Sequence, residues 1–153
     1  MGVLKVGDRA PMFTAVLSTG ARVSLGDYLG KQALVLFFYP RDETAGCTAE
    51  VCAYRESYGE IRSLGAALLG VSFDGPESHE GFISHHHLPF PLVADTGRAL
   101  SAQYGAIRWG GPWPRAKRVT YVIDREGIVW GIFHHELRIT KHIADTVSVL
   151  TEM

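Results

Sequence analysis

The sequence predicts an α/β fold in which helices flank a mixed central sheet, with a β extension in front of it. Two short apolar runs, Ala33 to Tyr39 and Ala66 to Ser72, bracket an amphipathic stretch, and that order implies a parallel strand–helix–strand unit with a right-handed crossover. Farther on, Val119 to Ile123 and Ile128 to Phe133 flank the turn Asp124-Arg125-Glu126-Gly127, which adds a β-hairpin. Each apolar run is long enough for a buried strand and too short to span a membrane. The length of 153 residues suits one domain, 1–153, with a sizeable core.

Ahead of the core, Phe13 to Leu17 and Ala21 to Ser24 flank Ser18-Thr19-Gly20 as a hairpin. Leu25 to Lys31 then lead into the first buried strand. Pro40 stops that strand because it has no backbone donor for the ladder. Thr44 is suited to cap a helix, with Gly46 easing a tight approach. The helix is expected to run to about Leu64, since Val51, Tyr54, Tyr58 and Ile61 form one apolar stripe continuous with Cys47. Pro76 starts a second helix, through Phe82 to about His86, before Pro89 and Pro91 break it. A short helix covers about Arg98 to Tyr104.

Gly105 to Lys117 reads as a long irregular loop containing Trp109, Gly110-Gly111 and Trp113. Its tryptophans line a site entrance, form a subunit contact, or cover the edge of the core. Thr140 is placed to cap a last helix to about Leu150, with Ile143, Val147 and Leu150 on one face. The order βαβ, helices, β-hairpin and terminal helix is the thioredoxin-like arrangement, with extra elements in front and in the middle.

The formal net charge is −1, and there is no basic block or polar low-complexity tract. Nothing here points to nucleic acid, a membrane or disorder. The N-terminal MGVLKVGDRAP lacks an apolar signal core, and Val6 stands where a myristoylation signal needs Ser or Thr. A cytoplasmic setting is expected, in which two cysteines point to chemistry rather than to a structural staple.

Cys47 falls in the first turn of a helix, at the carboxyl end of a strand. A cysteine attacks as its thiolate, and a free thiol of pKa about 8.5 is only about 3 % ionised at neutral pH. Bringing such a thiol to a pKa of about 6 needs roughly 3.4 kcal/mol in favour of the anion. A helix N-terminus supplies about 0.5–2 kcal/mol, and a charge-assisted hydrogen bond about 1.5–3 kcal/mol. A cation is therefore expected to fold back onto Cys47. In the expected topology Arg118 opens a strand antiparallel to the one ending at Tyr39, which brings it there. Glu50, one turn after Cys47, is either a solvated carboxylate or a group that orients the arginine. Cys52 lies five residues on, about 140° around the helix with Cα atoms about 8–9 Å apart, so the pair bonds only if the first turns unwind.

The stretch YPRDETAGCTAEVC resembles the peroxiredoxins, in particular the bacterioferritin-comigratory or peroxiredoxin Q branch. Pro40, Thr44 and Cys47 match P-x-x-x-T-x-x-C, and Cys52 matches the resolving cysteine many members carry. Arg118-Val119-Thr120-Tyr121 is similar to the family's arginine strand. Gly7-Asp8, Ala10-Pro11, Phe13, Leu25 and Gly30-Lys31 are like its N-terminal segment, although Met12 stands where many relatives have an acidic residue.

The resemblance implies a thiol peroxidase that reduces hydrogen peroxide and alkyl hydroperoxides. Cys47 becomes a sulfenic acid, Thr44 accepts the peroxide's hydrogen bond, Arg118 stabilises moving charge and Pro40 shields the sulfur. Cys52 resolves the sulfenic acid to an intramolecular disulfide that thioredoxin or a similar dithiol reduces, in a monomer or weak homodimer. No metal or organic cofactor is expected. The competing readings are a thioredoxin-like disulfide exchanger, for which Cys-x-x-Cys spacing is missing, and a redox sensor or holdase. His85-His86-His87 and His134-His135 invite a metal, but consecutive residues diverge, so they read as surface histidines.

Overall fold

A computed structural model describes residues 4–110, 112–134 and 139–153. Two short antiparallel strands come first, β1 (Thr14–Val16) and β2 (Arg22–Ser24), joined through the expected turn. The central unit follows as β3 (Ala33–Phe38), α1 (Ala45–Ser63) and β4 (Ala66–Ser72). Then come α2 (Pro76–His86), β5 (Leu92–Ala94) and the short α3 (Ala99–Gln103). The chain ends with the hairpin β8 (Val119–Ile123) and β9 (Val129–Phe133), then α4 (Ile139–Glu152). Between α3 and β8 lie two two-residue strands, β6 (Ile107–Arg108) and β7 (Arg115–Ala116), paired antiparallel.

That small arm corrects the expectation of an irregular loop at Gly105 to Lys117. Its strands are too short to show a period of two, and the Gly- and Pro-rich tip hides them. Trp109 and Trp113 are 72 % and 74 % exposed, so they do not cover the core edge. Thr140 is the second residue of α4 rather than its cap. Gly111 and His135 fall outside the described residues.

The central sheet has the order β5-β4-β3-β8-β9, with β3, β4 and β5 parallel and β8 and β9 antiparallel to their neighbours. It is mixed, as the order of elements implies. Every residue of β3 is buried, because both faces of the sheet are covered. Leu34, Leu36 and Phe38 pack with β1–β2 residues and with Leu100 and Tyr104 at α3. Val35 and Phe37 face α1, α2 and α4 through Cys47, Val51, Tyr54, Phe82 and Ile143. Gly70 on β4 allows this close packing, since an added Cβ would come within 2.7 Å of both Phe37 and Leu92. The register pairs Phe38 with Val119, which sets the end of β3 beside the start of β8.

Candidate active site

Tyr39 prolongs β3 by donating its N–H to the Val71 carbonyl at 3.0 Å, and half-buried Pro40 then ends the pairing. The loop that follows is held by Asp42. Its carboxylate accepts from Tyr39 OH at 2.6 Å and Ser78 Oγ at 2.7 Å, and it meets His79 Nδ1 at 2.8 Å. The Asp42 N–H donates to Asp74 Oδ2 at 2.8 Å, and the other nitrogen of His79 reaches the Val93 carbonyl. Burial raises the Asp42 pKa, but the hydrogen bonds from His79, Tyr39 and Ser78 outweigh it and hold the carboxyl below its ordinary value. The same burial, with the Asp42 charge, pushes the Tyr39 phenol well up.

Thr44 stands at the N-cap of α1 with extended backbone, but its side chain does not cap the helix. Its hydroxyl instead donates to the Arg41 carbonyl at 2.9 Å, closing a turn in which Glu43 takes a left-handed φ of 61°. The sequence expectation of a side-chain cap is corrected accordingly. The hydroxyl proton is taken, so only lone pairs remain for a further partner.

Cys47 is the third residue of α1 and 1 % exposed. The first intrahelical bond runs from Thr48 N–H to the Thr44 carbonyl, so the earlier N–H groups of the turn remain free of the ladder. Arg118 arrives across the sheet from the start of β8. Its Nη2 donates to Cys47 Sγ at 3.4 Å, and its Nη1 donates to Glu50 Oε1 at 2.7 Å. One planar fork therefore spans the sulfur and the carboxylate, with both partners on α1. Gly46 lies beneath it, and an added Cβ there would stand 3.3 Å from Nη2. Burial works against the guanidinium charge, but Glu50 and then Cys47 outweigh it and hold the Arg118 pKa above its ordinary value.

Glu50 is fully buried, not solvated. Its Oε2 lies 3.8 Å from His142 Nε2 on α4. His142 contacts Thr120 Oγ1, which bonds Tyr54 OH at 2.9 Å, while Thr146 Oγ1 lies 3.4 Å from Tyr54 OH. Burial, and next the Glu50 charge, pushes the Tyr54 phenol pKa up, so Tyr54 remains a neutral hydrogen-bonding group. This polar chain of β8, α1 and α4 side chains was not read from the sequence. The apolar stripe carrying Tyr54 was the only signal, and it does not tell which face α4 presents.

Cys52 lies half-buried on another side of α1, and both cysteines are free thiols. Cys52 Sγ is 3.9 Å from His86 Nδ1. His85 and His86 do not diverge as the sequence argument held. Their rings are 4.2 Å apart, and both reach Glu43. The helix ends at His86 while His87 turns left-handed, and Glu43 comes up from the opposite loop.

A protein-family model described as the AhpC/TSA family matches residues 6–132. A bcp-type peroxiredoxin of Coxiella burnetii is 34 % identical over 151 residues, covering 96 % of this chain and 99 % of that protein. The crystal structure of peroxidoxin BcpB from Mycobacterium tuberculosis superposes with a TM-score of 0.91 at 29 % identity, covering 98 % of each chain. A Xanthomonas campestris bacterioferritin comigratory protein, whose structures address alkyl peroxide reduction, gives a TM-score of 0.85 at 27 % identity over 95 % of this chain and 98 % of that one.

Proposed function

The chain belongs to the AhpC/TSA family as a thiol peroxidase of the bacterioferritin-comigratory type, and from that membership we propose a catalytic cycle for it. The Cys47 thiolate attacks the terminal oxygen of a hydroperoxide, the O–O bond breaks, and the departing oxygen takes a proton to leave as water or an alcohol. Both hydrogen peroxide and alkyl hydroperoxides serve as substrates, the second supported by the reaction named for the Xanthomonas relative. The observation that carries the reading is the Arg118 fork, which touches Cys47 Sγ while Glu50 fixes its other arm. A guanidinium held in that way, together with the free N–H groups of the first turn, can stabilise charge moving onto the peroxide oxygens. Thr44, with its proton given to Arg41, offers lone pairs to the peroxide O–H. Pro40, half-buried just past the end of β3, is assigned the shielding of the sulfur from water.

Cys52 then attacks the Cys47 sulfenic acid. The S–S bond forms, the sulfenic oxygen leaves as water, and the first turns of α1 unwind to bring the sulfurs together. A dithiol, thioredoxin or a similar protein, reduces the disulfide by exchange. We place this cycle in the cytoplasm, in a monomer or weak homodimer. The test is peroxide consumption coupled to thioredoxin. Cys47→Ser is expected to abolish it, and Cys52→Ser to keep the first oxidation but stop turnover. Full steady-state turnover by Cys52→Ser would overturn the resolving role.

A further inference from the structure

Glu43, His85 and His86 take no part in the peroxidase chemistry, yet they converge. Adjacent residues of a helix point about 100° apart, so two neighbouring imidazoles on one carboxylate is not what periodicity produces. Here His85 Nδ1 lies 2.9 Å from Glu43 Oε2, and His86 Nε2 lies 2.8 Å from Glu43 Oε1. The three ligand atoms all lie within 4.8 Å of one another. Two of the three partners are held from outside the cluster. The Arg55 guanidinium donates to the His86 carbonyl at 2.7 Å, and the His86 ring packs edge-on against buried Phe82. Glu43 is fixed by its left-handed backbone, next to the Asp42 anchor.

We propose that Glu43, His85 and His86 form a site for a late first-row divalent cation such as zinc, which clamps the loop before α1 to the end of α2 while α1 is wound. Two imidazole nitrogens and one carboxylate are the donor set that suits such an ion, with a remaining position for water. Ligand atoms around a tetrahedral zinc stand about 3.4 Å apart, so the two His–Glu43 contacts open by about half an ångström and the two imidazole nitrogens adjust from a separation within 4.8 Å. His85 is exposed and free to make that movement. A cation on Nε2 of His86 leaves Nδ1 to carry the proton, directed toward Cys52 Sγ 3.9 Å away. The clamp thus ties together Glu43, just before the turn that must unwind, and the neighbour of the cysteine that must move. This coupling rests on Cys52 being the resolving cysteine, which the thioredoxin-coupled assay tests in the absence of added metal.

The experiment is titration calorimetry with zinc chloride on two proteins, the Cys47→Ser/Cys52→Ser variant and the oxidised wild type carrying its disulfide. Neither has a free thiol, so uptake reports on the loop rather than on sulfur ligation. The wound double variant is expected to bind one equivalent, with affinity at least about tenfold above that of the disulfide form. Adding His86→Gln or Glu43→Gln to the double variant should weaken binding by at least about tenfold, whereas adding His134→Gln should leave it unchanged. Circular dichroism checks that each variant stays folded. Substoichiometric uptake, undiminished affinity in the Glu43→Gln or His86→Gln variant, or equal affinity in the wound and disulfide forms would overturn the proposal.

Discussion

On the Arg118 side of Cys47, Glu50, Tyr54, Thr120, His142 and Thr146 are all fully buried and linked by polar contacts across three elements. On the side of the 41–44 loop, Glu43, Thr44 and His85 are exposed, and Cys52 and His86 are only half-buried. The two sides suit two steps of one cycle. Oxidation of the sulfur needs a fixed cation and gains from groups that do not reorganise. In the resolution by Cys52 proposed above, the first turns of α1 come apart, which contacts of exposed side chains resist weakly. A single helix end is thus fixed along one face by buried polar contacts and bordered on the other by exposed side chains beyond the Asp42 anchor.

Replacing Arg118 with Ala should break the fixed side most severely, lowering the rate of Cys47 oxidation by about 10²–10³ in stopped-flow mixing with hydrogen peroxide. Arg118→Lys should recover little of it, because a point charge cannot hold the sulfur and Glu50 in one fork. A full recovery with Lys would reduce the fork to simple charge. Glu50→Gln sharpens the comparison further. It leaves the buried guanidinium without its carboxylate, so unfolding in denaturant should be easier by about 3 kcal/mol. Its oxidation rate should fall by about tenfold, while the rate of the later disulfide step is unchanged.

Asp42 gives the smallest effect, visible in pH. Its folded-state pKa lies below the ordinary 3.8. Stability from that carboxylate is fully present above the unfolded-state value, and it is lost as pH falls through the lowered one. The wild type should therefore lose stability more steeply than Asp42→Asn as pH falls below about 4. Parallel acid unfolding curves for the two proteins would remove Asp42 as the anchor of the loop.

Much of the frame was legible because it rests on local patterns. The buried runs at β3 and β4, the amphipathic α1 and the turn at 124–127 each announce themselves within a dozen residues. Arg118 was reachable because ionising a thiol demands a cation and the strand order delivers one. Glu50 remained open between two readings, since its burial depends on α4 and β8 rather than on its neighbours. His142 and Thr146 gave no signal, because a single His and Thr on a helix acquire meaning only when that helix packs against α1. Asp42 and His79 stand 37 residues apart and meet through the β4–α2 connection. The histidines lie at the end of α2 as read, His85 exposed and His86 half-buried, but their convergence was missed for a related reason: helical divergence was assumed where a carboxylate approaches from another loop.

The most direct measurement is stopped-flow tryptophan fluorescence of the reduced wild type and of Cys52→Ser after mixing with hydrogen peroxide, with thiol counting at each stage. The wild type should show a fast oxidation followed by a slower phase that consumes the second thiol without changing the monomer mass. Cys52→Ser should keep the fast phase and lose the slow one. Oxidation at the rate of free cysteine, or two identical phases in both proteins, would contradict the division of labour between the two sides of Cys47.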